Sequence, residues 1–170
     1  EYYDKKTKKW HSLPIDMPTG RYSFGVAKVK NRVFVMGGSV GSKDSSSSTS
    51  SDLISIDVSG SDLSTLSTAN SWNLLTPMNE PRFGFACVSY LNFIYVFGGH
   101  TNTAERYNIN TNHWEYLPDM PGKRVYSSAG VVGYKIYVVG GRDDHDGNAL
   151  ATSIVFNTST QQWEPSTAVP

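Results

Sequence analysis

Cysteine is almost absent: Cys87 is the only one in 170 residues, so no internal disulfide can staple the chain. Stability has to come from packing, and a reducing, cytoplasmic setting is favoured. Charge of one sign is lacking too. Fifteen basic residues stand against 15 acidic ones, for a formal charge of zero. The one dense basic stretch, Asp4-Lys5-Lys6-Thr7-Lys8-Lys9, reads as a solvated turn between two strand-like segments. No broad phosphate-binding face is available, so nucleic acid is not an expected partner. Long apolar runs are missing: nothing approaches the roughly 18 residues of a membrane span, and no secretory leader pattern opens the chain. A soluble protein without membrane attachment is expected. Convincing helical periodicity is missing as well, which leaves an all-β reading. The chain opens at Glu1 in mid-pattern, as a processed piece, an engineered piece or a portion of something longer would.

Catalytic and metal-binding patterns are also scarce. His11, His100, His113 and His145 never form the spaced clusters that zinc demands, and Cys87 sits alone in an apolar strand. The stretch Asp143-Asp144-His145-Asp146-Gly147-Asn148 resembles the start of a calcium loop but lacks its distal glutamate, so a solvated polar turn is the better reading. No Gly-x-Ser-x-Gly turn presents a nucleophile, and the serine excess falls in Ser45 to Ser48, a flexible loop by composition. Catalytic residues, metals and cofactors are therefore expected to be none, and enzymatic activity is disfavoured.

What the chain does have is a repeat. Gly37-Gly38, Gly98-Gly99 and Gly140-Gly141 each close an aromatic or β-branched run, and Arg21, Arg82 and Arg124 precede them by the same 16 residues. Trp10, Trp72 and Trp114 precede them by 27, 26 and 26 residues, and Trp163 opens a further unit. Each unit can be laid out as four strands. The first strands are Tyr22 to Lys30, Phe83 to Leu91 and Val125 to Gly133; the second are Val33 to Met36, Phe93 to Phe97 and Lys135 to Val139. Third strands follow at Leu53 to Asp57, Ala104 to Asn108 and Thr152 to Asn157, and fourth strands surround Trp72, Trp114 and Trp163. Pro and Gly fall in the links between units, where strands must stop. One four-stranded sheet buries too little alone, so several must pack face to face, which describes a β-propeller.

The run Tyr107-Asn108…Trp114…Met120-Pro121…Arg124…Ile136-Tyr137-Val138-Val139-Gly140-Gly141 resembles the kelch repeat, whose period is near 50 residues. Units one and three depart from it, with Ile56 and Phe156 where Tyr3 and Tyr107 stand, a change that touches a side-chain hydrogen bond and not the fold. The resemblance implies a portion of a kelch-type propeller over residues 1–170: a half blade at 1–13 and complete four-stranded blades at about 21–76, 82–118 and 124–165. Kelch propellers commonly close with roughly six blades, so further blades or a second copy are expected to close the ring. An unclosed array exposes apolar faces and strand edges, which invites self-association.

Departures from the repeat locate the loops that differ in use. The first unit carries insertions in Ser39 to Asp52 and Ser59 to Asn70, and the third carries one in Arg142 to Ala151. Because antiparallel strands alternate ends, the links holding Arg21, Arg82 and Arg124 share one rim with Ser39 to Asp52, His100 to Thr103 and Arg142 to Ala151. The three arginines suit either of two roles: a ring of donors for a carboxylate or phosphate, or caps on exposed carbonyls of their own blades. Their recurrence at identical repeat positions weights the second. Beside them Tyr22, Phe83, His100, Tyr126 and Arg142 mix aromatic, imidazole and cationic character, as a protein or peptide contact surface does. Arg21, Tyr22, Arg82, Phe83, His100, Arg124, Tyr126 and Arg142 are thus the candidate contact residues of a protein-interaction module, a substrate-recognition or scaffold part of a larger protein. The alternative that the resemblance leaves open is part of a kelch-type enzyme, of sialic-acid epimerase, specifier or oxidase kind, with its catalytic groups elsewhere.

Overall fold

The structure, a computed structural model, describes residues 1–41, 47–59, 71–143 and 146–168, the last four by their backbone alone. Among these residues every regular element is a strand, and no helix is long and apolar enough to cross a membrane. In chain order the strands are β1 (Tyr2–Asp4), β2 (Lys9–His11), β3 (Arg21–Tyr22), β4 (Gly25–Val29), β5 (Arg32–Met36), β6 (Ser39–Val40), β7 (Ser48–Thr49), β8 (Leu53–Asp57) and β9 (Asn73–Leu75). They continue with β10 (Ala86–Tyr90), β11 (Phe93–Phe97), β12 (Ala104–Asn108), β13 (His113–Leu117), β14 (Ser128–Val132), β15 (Lys135–Val139), β16 (Thr152–Asn157) and β17 (Gln162–Ala168).

Three four-stranded antiparallel sheets follow strict chain order, β4-β5-β8-β9, β10-β11-β12-β13 and β14-β15-β16-β17, and β1-β2 makes a two-stranded sheet before them. These are propeller blades of a fan whose ring is not closed. Pairing keeps the repeat register: Gly25, Ala86 and Ser128 face Met36, Phe97 and Val139 across the first hairpin of each blade. The hairpins turn at Lys30, Leu91 and Gly133, which all have φ between 51° and 61°.

The first strands are shorter than the sequence suggests. Ser23, Gly84 and Tyr126, each two residues past its arginine, hold left-handed φ values of 53°, 61° and 59°. That kink splits the segment, so the ladder resumes only at Gly25, Ala86 and Ser128. The kinked residues then join blade to blade: Gly84 N–H donates to Ser23 O at 2.9 Å, and Tyr126 N–H donates to Gly84 O at 2.6 Å. In the first blade the fourth strand starts one residue after Trp72. The first insertion is not simply a loop, because β3, β6 and β7 form a small three-stranded sheet in which Ser48 pairs with Val40. Ser45 and Ser46, and nearly all of the second insertion, lie outside the described residues.

The core lies between blades. On one side of the central blade, Ala27, Phe34 and Met36 of the first blade meet Phe85, Ile94, Val96, Tyr107 and Trp114. On the other, Tyr95, Phe97 and Ala104 meet Ile136, Val138, Ile154 and Phe156, with Trp163 edge-on to Phe97 at 5.5 Å between ring centres. Alternation along β11 sends Ile94 and Val96 one way and Tyr95 and Phe97 the other, so a single strand serves two cores. Each fully buried ring contributes roughly 1.5–3 kcal/mol. The inner strand β10 packs against both β4 and β14, and Cys87 Sγ and Ser89 Oγ donate across to Val26 O and Lys28 O at 3.4 and 2.9 Å.

The links are seated by the blades they leave. A Cβ on Gly37 would stand 2.9 Å from Met78 Cε, and one on Gly98 would stand 2.7 Å from Met120 Cε, so each methionine fills the space its glycine leaves. The next glycines, Gly38 and Gly99, donate their N–H to Arg82 O and Arg124 O at 2.8 and 3.1 Å. Trp114 and Trp163 in turn donate Nε1–H to the link carbonyls of Thr76 and Pro118. The first link is seated less well: Met17 is half-exposed, and Trp72 Nε1 is buried with no acceptor. Among the described residues, the sheet before that link holds only the counterparts of a third and a fourth strand, so no diglycine receives Met17.

Candidate functional site

The three arginines occupy one repeated socket. Arg21, Arg82 and Arg124 each donate Nη1–H to the carbonyl of the first glycine of their own blade, Gly37, Gly98 and Gly140, at 2.9, 2.9 and 2.7 Å. Those carbonyls end the second strand and have no ladder partner, so a guanidinium satisfies what the sheet cannot. The arginine side chain therefore ties a link to the loop after the second strand, and both lie at the same end of the fan. Arg82 and Arg124 are only 2% and 6% exposed, and the Arg21 side chain is equally withdrawn.

The sockets differ in their acids. Arg82 Nε donates to Glu105 Oε1 at 3.0 Å with both side chains fully buried, while Nη2 donates to Thr103 Oγ1 and stands 3.6 Å from Glu80 Oε2. Glu105 Oε2 also accepts from Asn79 N and Nδ2 at 2.9 and 3.0 Å. Nη1 serves Thr101 Oγ1 and Thr103 O as well as Gly98 O, so each nitrogen of Arg82 has a partner. Arg21 has one half-exposed acid, Asp52, at 3.5 Å. Arg124 donates to Thr152 O and Thr152 Oγ1 at 2.9 and 2.7 Å and has no carboxylate in ion-pair range among the described residues. Burial alone pushes its guanidinium below the ordinary arginine range.

Above the sockets stand the tips of the rim, exposed at Tyr22, His100, Tyr126 and Arg142 and half-buried at Phe83. Tyr22 and Tyr126 are 58% and 56% exposed. Hydrogen bonds with the Ser39 and Ser47 hydroxyls hold the Tyr22 phenol below its usual pKa. Phe83 lies against His100 with ring centres 4.2 Å apart, over a cavity of about 160 Å³ that Thr49, Pro81 and Thr101 also line. Arg142 places its guanidinium 5.9 Å from the Tyr126 ring centre, and its backbone pairs with Val125 through two hydrogen bonds of 3.0 and 2.8 Å. The structure thus joins Phe83 to His100 and Tyr126 to Arg142, with the Tyr126 ring lying on Gly84 next to Phe83. It sets Arg21, Arg82 and Arg124 beneath this surface.

Glu105, Asp52, Thr103 and Thr152 escaped the sequence reading. A signal for Glu105 was present: an acid in a third strand whose repeat partners are Ile54 and Ile154. In the 143–148 turn, Asp146 accepts from Asn148 N and Nδ2 at 2.9 and 2.7 Å, which lowers its pKa, while Asp144 and His145 lie outside the described residues.

Comparison with known proteins agrees with this architecture. The kelch motif matches residues 81–121 and 123–168. Kelch-like protein 23 of Homo sapiens is 26% identical over 165 residues, covering 96% of this chain and 27% of that protein. Beta-scruin of Limulus polyphemus is 29% identical over 170 residues, covering 93% of this chain and 17% of its own length. Kelch-like protein 26 of Danio rerio is 32% identical over 107 residues, 58% of this chain and 18% of its own. The chain spans about a quarter or less of the length of these curated relatives. With the blades, their diglycine closures and the arginine sockets in one register, and with the motif matched over half of its length, the chain belongs to the kelch-repeat family.

Proposed function

We propose that this chain is a protein-interaction module whose arginine rim binds a partner protein or peptide, as the recognition or scaffold portion of a longer cytoplasmic protein. The observation that carries the reading is the division of labour at that rim. Buried arginines tie the links to the loops, and aromatic and cationic tips, all but Phe83 exposed, stand on the frame they make. Tyr22, Phe83 with His100, and Tyr126 with Arg142 are the residue types that dominate protein contacts, because rigid rings supply contact area at low entropy cost. Arg21, Arg82 and Arg124 contribute from below, by fixing the loops that carry those tips.

Panning a phage-displayed random peptide library on the immobilised chain tests this. Selected peptides are expected to lose binding to the Tyr126→Ala and Arg142→Glu variants and to keep it on Leu91→Ser and Tyr134→Ser, at the hairpin tips of the opposite end. Peptides that ignore the rim variants and fail on the hairpin-tip variants would move the contact surface to the other end.

A further inference from the structure

The repeat register places a cavity where a carboxylate belongs. Glu105 pairs with Val96 in the central blade, and Ile154 pairs with Val138 in the third, each two residues before its diglycine. Glu80 and Gly122 both stand two residues before their arginines. The two acids that flank Arg82 are therefore replaced around Arg124 by Ile154 and Gly122. Both line a cavity of about 160 Å³, together with Lys123, Arg124, Asp143 and Leu150.

The backbone and threonine bonds of the socket are kept. Arg124 repeats the bonds of Arg82 to the glycine carbonyl and to both oxygens of the following threonine. Among the described residues, the Nε bond that Arg82 makes to Glu105 has no counterpart at Arg124. A guanidinium with nine-tenths of its surface withdrawn from water thus faces a partly apolar hollow, a setting where a charge-assisted hydrogen bond is stronger than at the surface. Asp143 is the one acid among the described residues that line the cavity.

We propose that the cavity beside Arg124 is a subsite for a carboxylate supplied by a partner polypeptide, either an acidic side chain or a free C-terminus. It rests on the reading of the arginine rim as a contact surface and names the chemistry of one anchor on it. The incoming oxygen takes the place that Glu105 fills within the central blade, so the third blade completes with a partner what the second completes by itself.

The test is titration of the labelled chain, followed by nuclear magnetic resonance at the Arg124 Nε–H and the Gly122 amide. The probes are acetyl-Gly-Glu-Gly-amide, its Gln counterpart, and acetyl-Gly-Gly-Gly with a free carboxylate. At least one carboxylate probe is expected to bind about tenfold or more tightly than the Gln probe, as a hydrogen bond between charged groups requires. Which of the two binds identifies the source of the carboxylate. Gly122→Glu, at a position where a Cβ meets nothing within 4 Å, is expected to fold and to abolish binding by supplying the acid from within; Ile154→Glu should do the same. Equal binding of the Glu and Gln probes, no binding of either carboxylate, or binding retained in Gly122→Glu overturns the proposal. Rim-binding library peptides alongside silent carboxylate probes would sink this subsite alone. Carboxylate binding at Arg124 in a chain that selects no peptide would instead sink the broader reading.

Discussion

Arg82 Nε and Glu105 Oε1 meet at 3.0 Å with neither side chain reached by solvent, and the pair stands where the first and third blades carry isoleucine in place of the acid. A buried pair of this kind is weak evidence of net stabilisation, yet removing one member leaves an uncompensated buried charge. Glu105→Ala should therefore cost about 3–5 kcal/mol in urea unfolding. Glu80→Ala, which removes a carboxylate about a third exposed and 3.6 Å away, should cost about 1 kcal/mol or less. Equal costs for the two would show that the buried pair has no special weight.

The phenol of Tyr107 donates to Asn112 Oδ1 at 2.7 Å, and that same oxygen accepts from Thr76 N at 3.1 Å, which ties a hairpin to the preceding link. The third blade manages with Phe156 at the equivalent position. Tyr107→Phe should thus retain the ring packing and lose about 0.5–1.5 kcal/mol. A loss of 3 kcal/mol or more, read from the same denaturation curves, would mean that the hydroxyl holds more of the link than its single bond indicates.

Gly98 sits at φ 71°, and a Cβ there would fall 2.7 Å from Met120 Cε and 2.9 Å from Arg124 O. Gly98→Ala should cost more than about 2 kcal/mol, because the methyl strains the backbone and unseats the next link. Gly20→Ala, where a Cβ meets nothing within 4 Å, should change the stability by less than about 1 kcal/mol. Comparing the two thermal transitions checks whether the diglycine is required by close approach or merely recurs.

Burial pushes the Cys87 thiol up from 9.0 to about 11, only partly offset by its bond to Val26 O. Because the folded value is raised, the stability it contributes is full below pH 9 and is lost as the pH rises through about 11. Native chain at pH 8 should react with iodoacetamide far more slowly than urea-unfolded chain. Equal alkylation rates would place a thiolate where the structure has a withdrawn thiol.

Most of the fold could be read from spacing, because a propeller writes its period into the sequence. Gly37, Gly98 and Gly140 mark strand ends, and second and third strands such as Phe93 to Phe97 and Ala104 to Asn108 coincide with β11 and β12. The first strands came out too long because the kink depends on φ and not on residue type. Ser23, Gly84 and Tyr126 share a conformation and no chemistry. Arg21, Arg82 and Arg124 were visible as a ring, but their role was not, since one spacing suits both a ligand-facing ring and carbonyl caps. That decision lay with burial and with Glu105, Asp52 and Thr152, whose pairing across sheets leaves no local pattern. The tilted ring contact of Phe83 with His100 and the approach of Arg142 to Tyr126 likewise depend on loop geometry that periodicity does not record.

The central claim is that one end of the fan, the arginine rim, carries recognition. Hydrogen exchange of the chain with and without its tightest library-selected peptide tests it most directly. The account predicts new protection at residues 21–23, 83–84, 100–103, 126 and 142, with the hairpin tips at 30–32, 91–93 and 133–135 unchanged. Protection confined to those tips, with the rim exchanging as before, would contradict it.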